Sequence, residues 1–174
     1  KLKKLKGKWI ALGYMPLEKG IAKATGMEVY KFRYPKLKTI DVYSNLFSGL
    51  KKAIKNAIKM LKRNHKKYDY FYIHFKETDI PGHDNLPHEK VKMIELLDAR
   101  FFSFLKEFIK SNKLIITADH TTACKLKSHT ADPVPILTYP SQNKHKEQRF
   151  TETCALNGRK ILPQKLLENN FFAK

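Results

Sequence analysis

The sequence predicts an α/β fold with a largely parallel sheet flanked by helices. Three observations carry that expectation. Short apolar runs alternate along the chain with segments of helical spacing, the order that βα units produce. Residues 69–75 read Asp-Tyr-Phe-Tyr-Ile-His-Phe, almost continuously apolar and aromatic, as in a strand covered on both faces. The length of 174 residues, 42% of them apolar, suits one domain or a large part of one.

Taken in order, residues 9–12 form a short apolar run that Gly13 ends, and they read as a strand. Residues 16–25 have helical spacing, with Leu17, Ile21 and Ala24 on one side. Pro16 suits the first helical turn and Gly26 a C-terminal cap. Residues 28–32 read as a second strand and 35–43 as a loop. Residues 44–64 are the clearest helix, with Leu46, Leu50, Ile54, Ile58 and Leu61 in an apolar stripe and lysines around it. The aromatic strand at 69–75 follows. Residues 76–87 are polar and contain Pro81, Gly82 and Pro87, so a loop is expected. Residues 87–110 read as a long helix, with Val91, Ile94, Leu97, Phe101, Phe104 and Leu105 facing inward. A strand at 114–118 and a polar loop at 119–132 come next. The apolar run 133–139 holds two prolines and reads as an edge strand or an extended segment. Residues 161–170 are expected to form the last helix. No internal repeat or Gly/Ser linker divides the chain, so a single domain over residues 1–174 is expected.

Composition excludes several classes. The chain is too rich in Leu, Ile, Val and Phe for a disordered protein. Two cysteines, Cys124 and Cys154, do not make a disulfide scaffold. No run of 18 apolar residues exists to span a membrane. The basic stretch at 1–8 lacks the apolar core and cleavage site of a signal peptide, so a soluble cytoplasmic protein is expected. Lys and Arg total 35 against 16 Asp and Glu, a formal charge of +19. That charge attracts anions, either nucleic acid or phosphorylated metabolites. No zinc-finger spacing, basic zipper or ribonucleoprotein motif accompanies it, and a solvated Lys-rich surface accounts for it.

Chemistry concentrates beyond the carboxyl ends of two expected strands, where open parallel sheets bind ligands. The first is followed by Lys76-Glu77-Thr78-Asp79-Ile80-Pro81-Gly82-His83. The second is followed by Asp119-His120-Thr121-Thr122, and then by Ser128-His129-Thr130-Ala131-Asp132-Pro133. Asp79 and His83 flank a Pro-Gly turn that can aim both at one ion. Mixed carboxylate and imidazole donors suit Mn²⁺, Zn²⁺ or Fe²⁺ better than Ca²⁺. Together they make up most of a two-metal centre of the kind that stabilises the oxygens of phosphoryl transfer. Each residue taken singly also fits a turn, a cap or a solvated loop.

These three motifs resemble those of the alkaline phosphatase superfamily. Within it the chain is similar to the archaeal type of cofactor-independent (2,3-bisphosphoglycerate-independent) phosphoglycerate mutase. Pro16-Leu17-Glu18-Lys19-Gly20-Ile21-Ala22, Gly26-Met27, residues 90–98, residues 150–155 and Gly158-Arg159 extend the resemblance over most of the chain. The resemblance implies an alkaline-phosphatase-like core and two divalent ions, Mn²⁺ first, with Mg²⁺, Zn²⁺ or Co²⁺ as alternatives. It implies that Asp79, His83 and His129 hold one ion and that Asp119 and His120 hold the other. It implies interconversion of 3-phosphoglycerate and 2-phosphoglycerate through a phosphoserine, with Lys76 as a basic residue near the transferred phosphate and Arg159 as a weaker candidate. The family's nucleophilic serine and a further aspartate lie N-terminal to the matching region, and no serine of this chain has an equivalent context. Three explanations stand open: part of a longer protein, half of a split enzyme that needs a second chain, or a degenerate homologue. The intact ligand set argues against the last. An exposed apolar surface is expected where the missing part would pack. Two alternative functions remain, another metal-dependent phosphatase or phosphotransferase of the superfamily and a basic nucleic-acid-binding module.

Overall fold

The computed structural model describes residues 2–36, 39–110, 112–140, 149–156, 158, 160–162 and 165. Its centre is a parallel sheet of three strands, β1 (Trp9–Leu12), β2 (Glu28–Val29) and β3 (Tyr70–Ile73), in the order β2-β1-β3. β1 pairs in parallel with both neighbours, with Ile10 opposite Glu28 on one side and opposite Phe71 on the other. As the central strand it is covered on both faces, and Ile10, Ala11 and Leu12 are buried. That is why its sequence is a continuous apolar run.

Helix α1 (Pro16–Thr25) crosses from β1 to β2, with Pro16 in its first turn and Gly26 as a left-handed cap at φ 89°. Its buried side differs from the expected one. Ala22 is buried, whereas Leu17 is 73% exposed and Ile21 also faces solvent. Glu18 fixes this rotation by accepting from the backbone N–H groups of Tyr14 and Met15 at 3.1 and 3.0 Å. Helix α2 (Val42–Asn64) returns the chain to β3. It starts earlier than the apolar stripe suggests because Asp41 caps it, accepting from the N–H groups of Tyr43 and Ser44. Leu50, Ala53, Ile54, Ala57, Met60 and Leu61 bury its inner face. A fully buried Leu or Met there contributes about 1.5–3 kcal/mol.

β3 is less covered than its sequence suggests. Phe71, Ile73 and Phe75 pack against the core. Tyr72, on the other face, is 40% exposed, because β3 ends the sheet and its second face has only partial cover. The stretch expected to be a loop at 76–87 contains a helical turn, α3 (Ile80–His83). Beyond it, α4 (Pro87–Leu97) runs through a π-helical turn at Asp98–Phe102 into α5 (Ser103–Phe108). Met93, Leu96, Leu97, Phe101 and Leu105 face the core, while Val91 and Ile94 are exposed. α4 carries apolar residues on two sides, and only one side can meet α2.

β4 (Leu114–Ile116) pairs antiparallel with β7 (Leu137–Tyr139), so the run at 133–139 ends in a strand while its prolines, Pro133 and Pro135, precede it. The expected polar loop at 119–132 instead holds an antiparallel hairpin of β5 (Thr121–Ala123) and β6 (Ser128–Thr130). Lys127 closes the hairpin in the left-handed region at φ 54°. A short α6 (Glu152–Ala155) follows, and the helix expected at 161–170 falls largely outside the described residues. Among the described residues no helix is long and apolar enough to cross a membrane. Cys124 and Cys154 are free thiols.

Candidate metal centre

The site forms where β3, β4 and the β5–β6 hairpin end together. Asp79 and His83 are four residues apart across α3, so both point to one side of that turn. His83 Nε2 lies 3.4 Å from Asp79 Oδ1, and His129 Nε2, from β6, lies 3.6 Å from the same oxygen. The two Nε2 atoms are 3.1 Å apart. The His120 ring stacks on the His129 ring at 3.6 Å between centroids, and Asp79, His120 and His129 can offer one ligand atom each within 4.8 Å of one another. Asp119 Oδ2 faces His120 Nε2 at 3.3 Å and is the most open member. All five expected ligands therefore meet in one continuous cluster, in which Asp79 and His129 contact His83 and also group with His120. α3 reaches the hairpin because residue 82 is glycine. A Cβ there would stand 2.8 Å from both the Thr122 Cγ2 and the Thr122 backbone oxygen.

Hydrogen bonding sets the tautomers. The Lys127 backbone oxygen lies 3.1 Å from His83 Nδ1. A carbonyl can only accept, so Nδ1 carries a proton and the ring turns Nε2 towards Asp79 and His129. Thr122 Oγ1 donates to Asp79 Oδ1 at 2.5 Å, having spent its only proton there. Its 3.1 Å contact to His120 Nδ1 then needs a proton on the ring nitrogen, which turns Nε2 towards Asp119. Imidazole nitrogens and carboxylate oxygens thus converge within 3.1–3.6 Å of one another. The Asp/His donor set fits a divalent cation.

The sequence marks the candidate ligands but not their supports. Thr122 is 4% exposed and links Asp79 to His120, and Lys90 Nζ on α4 donates to the Thr122 backbone oxygen at 2.7 Å. Lys90 reads as a surface helix lysine, and no local pattern marks it. Lys76, partly buried at the carboxyl end of β3, is held through its backbone. Its N–H donates to the Tyr14 hydroxyl at 3.1 Å, and its carbonyl accepts from the Asp79 N–H at 3.0 Å. Arg159 lies outside the described residues. Glu95 and Asp98, the other carboxylates with helical spacing, are exposed.

The largest omission is Glu77, a carboxylate only 1% exposed. Tyr14, just beyond β1, donates a short hydrogen bond to Glu77 Oε2. Tyr34, beyond β2, donates to Glu77 Oε1 at 2.9 Å. Burial raises the Glu77 carboxyl above its ordinary range, and the two phenol hydrogen bonds draw it back. Both phenols are pushed well above the ordinary tyrosine range, by burial first and by the Glu77 charge next.

A profile of the metalloenzyme superfamily matches residues 8–165. The chain belongs to this superfamily. Among its metalloenzyme relatives, a probable 2,3-bisphosphoglycerate-independent phosphoglycerate mutase of Thermosipho melanesiensis is 37% identical over 129 residues, 74% of this chain and 27% of that protein. A 2,3-bisphosphoglycerate-independent phosphoglycerate mutase of Pyrococcus abyssi is 35% identical over 82% of this chain and 32% of its own length. A solved Pyrococcus horikoshii protein superposes with a TM-score of 0.67 at 32% identity, covering 87% of this chain and 43% of that one. These establish the expected alkaline-phosphatase-like α/β architecture. The metalloenzyme chain spans about a third or less of the length of these curated relatives, 27% and 32%.

Proposed function

We propose that this chain is the C-terminal metal-binding part of a cofactor-independent phosphoglycerate mutase. It would interconvert 3-phosphoglycerate and 2-phosphoglycerate in the cytoplasm, as a step of glycolysis and gluconeogenesis. The observation that supports this reading best is the tautomer pattern. His83 and His120 are each hydrogen-bonded at Nδ1 so that Nε2 faces a carboxylate across a gap suited to a cation. Asp79, His83 and His129 would hold one divalent ion and Asp119 with His120 the second, Mn²⁺ being the first candidate and Mg²⁺, Zn²⁺ or Co²⁺ the alternatives. Such ions stabilise charge on the attacking and leaving oxygens of phosphoryl transfer. Lys76 would bind the transferred phosphate. The serine that carries it, and a further aspartate, would come from outside these 174 residues, from the same polypeptide or from a second chain. Hydrogen-bonded as it is, Thr122 orients Asp79 and His120.

The test begins with capture of the chain from its native cells and mass spectrometry of what accompanies it, followed by assay with Mn²⁺ and 3-phosphoglycerate. The expected result is an N-terminal-type region, either joined to this chain or copurifying in equal amount, and formation of 2-phosphoglycerate only when both are present. Release of inorganic phosphate without formation of 2-phosphoglycerate would replace the mutase reading with a phosphatase. Failure of the purified chain to bind any divalent ion would overturn the metal centre itself.

A further inference from the structure

We infer that Glu77, with Tyr14 and Tyr34, is a clamp that positions the metal loop, making these three residues positioning residues for the ion at Asp79. The inference rests on reading the Asp79 cluster as a metal centre, and adds to it a support that the ligand motifs do not contain. Three separate strand ends meet at one carboxylate. Tyr14 follows β1, Tyr34 follows β2, and Glu77 follows β3. Glu77 is buried and both its oxygens are engaged, each by a different phenol.

The connection to the ligand is a short chain of hydrogen bonds. The Tyr14 hydroxyl gives its proton to Glu77 and accepts the Lys76 N–H at 3.1 Å. The Lys76 carbonyl accepts the Asp79 N–H at 3.0 Å, and the Asp79 carbonyl in turn accepts the Gly82 N–H at 2.9 Å. So the turn that carries Asp79 is tied at its first residue to Tyr14, and through Glu77 to Tyr34. Aromatic packing holds the phenols in place. The Tyr14 and Tyr34 rings stack at 4.9 Å, and Phe32 meets each of them edge-on. Helix α2 contributes a slot. A Cβ at Gly49 would lie 1.8 Å from the Tyr34 hydroxyl oxygen, so only glycine lets that hydroxyl reach Glu77. Groups that orient a ligand without touching the ion commonly change metal affinity by about 10–100-fold when removed.

The clamp makes an ordered prediction. Tyr14→Phe removes a donor to Glu77 and the acceptor of the Lys76 N–H together, whereas Tyr34→Phe removes one donor. Mn²⁺ titration of the full chain should show about a tenfold loss of affinity for Tyr14→Phe, a smaller loss for Tyr34→Phe, and a loss like that of Tyr34→Phe for Gly49→Ala. Ile54→Val, a core change on α2 away from the clamp, serves as the control and should leave affinity unchanged. Amide hydrogen exchange gives a readout independent of metal. Exchange of the Asp79 N–H should quicken in Tyr14→Phe, while the Ala57 N–H inside α2 stays as slow as in the wild type. Unchanged Asp79 exchange in Tyr14→Phe would overturn the clamp. So would an Ile54→Val variant that loses as much affinity as Tyr14→Phe, since loss of stability alone would then explain the effect. If the wild-type chain binds no Mn²⁺ yet the exchange pattern holds, the metal reading fails and the clamp on the turn stands.

Discussion

Glu77 and Asp79 are carboxylates two residues apart that live in opposite circumstances. Glu77 is buried, and two phenols that point at it satisfy both its oxygens. Asp79 is partly exposed, and one of its oxygens receives a single hydroxyl while two imidazole Nε2 atoms stand within 3.4 and 3.6 Å. The first environment is complete without a ligand. The second gathers a carboxylate and imidazole nitrogens of the kind that a divalent cation takes as ligands. The contrast separates what holds the turn from what the turn offers to an ion, and each side can be attacked alone.

The largest expected effect is on the complete side. Glu77→Ala leaves two partly buried phenols without their acceptor, so denaturant unfolding should show a stability loss of about 2–4 kcal/mol. A loss below about 1 kcal/mol would mean that water replaces the carboxylate, and the contrast would dissolve. Asp79→Asn should do the reverse. Calorimetric titration should show Mn²⁺ affinity down by at least about 100-fold, or about 2.8 kcal/mol. Its unfolding free energy should change by less than about 1 kcal/mol. Gly82→Ala tests the close approach of α3 to the hairpin. The added methyl meets the Thr122 backbone as well as its side chain, so overpacking should cost about 1–3 kcal/mol and should weaken metal binding with it.

The smallest effect concerns pH. Tyr14 ionises well above the ordinary phenol value of 10.0 in the folded chain and near that value when unfolded. Above about pH 10 the unfolded state therefore binds fewer protons than the folded state, and stability falls as pH rises. The slope for Tyr14 is about 1.4 kcal/mol per pH unit. Its contribution is fully present below pH 10. Alkaline melts with phenolate absorbance as the probe should show ionisation accompanying unfolding, and Tyr14→Phe should flatten the slope. Ionisation that runs ahead of unfolding would show that the clamp opens locally.

Much of the architecture was legible because its causes are local. Pro16 and Gly26 bound α1, the Leu50/Ile54/Leu61 stripe marks α2, and the run through Ile10 and Leu12 marks the central strand. The β5–β6 hairpin was not legible. Its residues are Thr-Thr-Ala and Ser-His-Thr, mostly polar, and the one that is buried is Thr122, so no alternating apolar pattern records it. The rotations of α1 and α4 were missed for a related reason. Both helices carry apolar residues on more than one side, and periodicity does not say which side meets the sheet or α2. Leu17, Ile21, Val91 and Ile94 accordingly face outward.

By itself the sequence determined the order of the main strands and helices through β4, the family and the identity of the candidate ligands, because residue type, capping and short spacing are written along the chain. Only the tertiary structure decided how those ligands face one another. The orientation of the His83 ring is set by a carbonyl 44 residues away, and the hydrogen bond to Glu77 comes from a phenol 63 residues away. Hydrogen-bond direction and burial depend on which distant groups the fold brings within about 3 Å, and no local pattern in the chain encodes that distance.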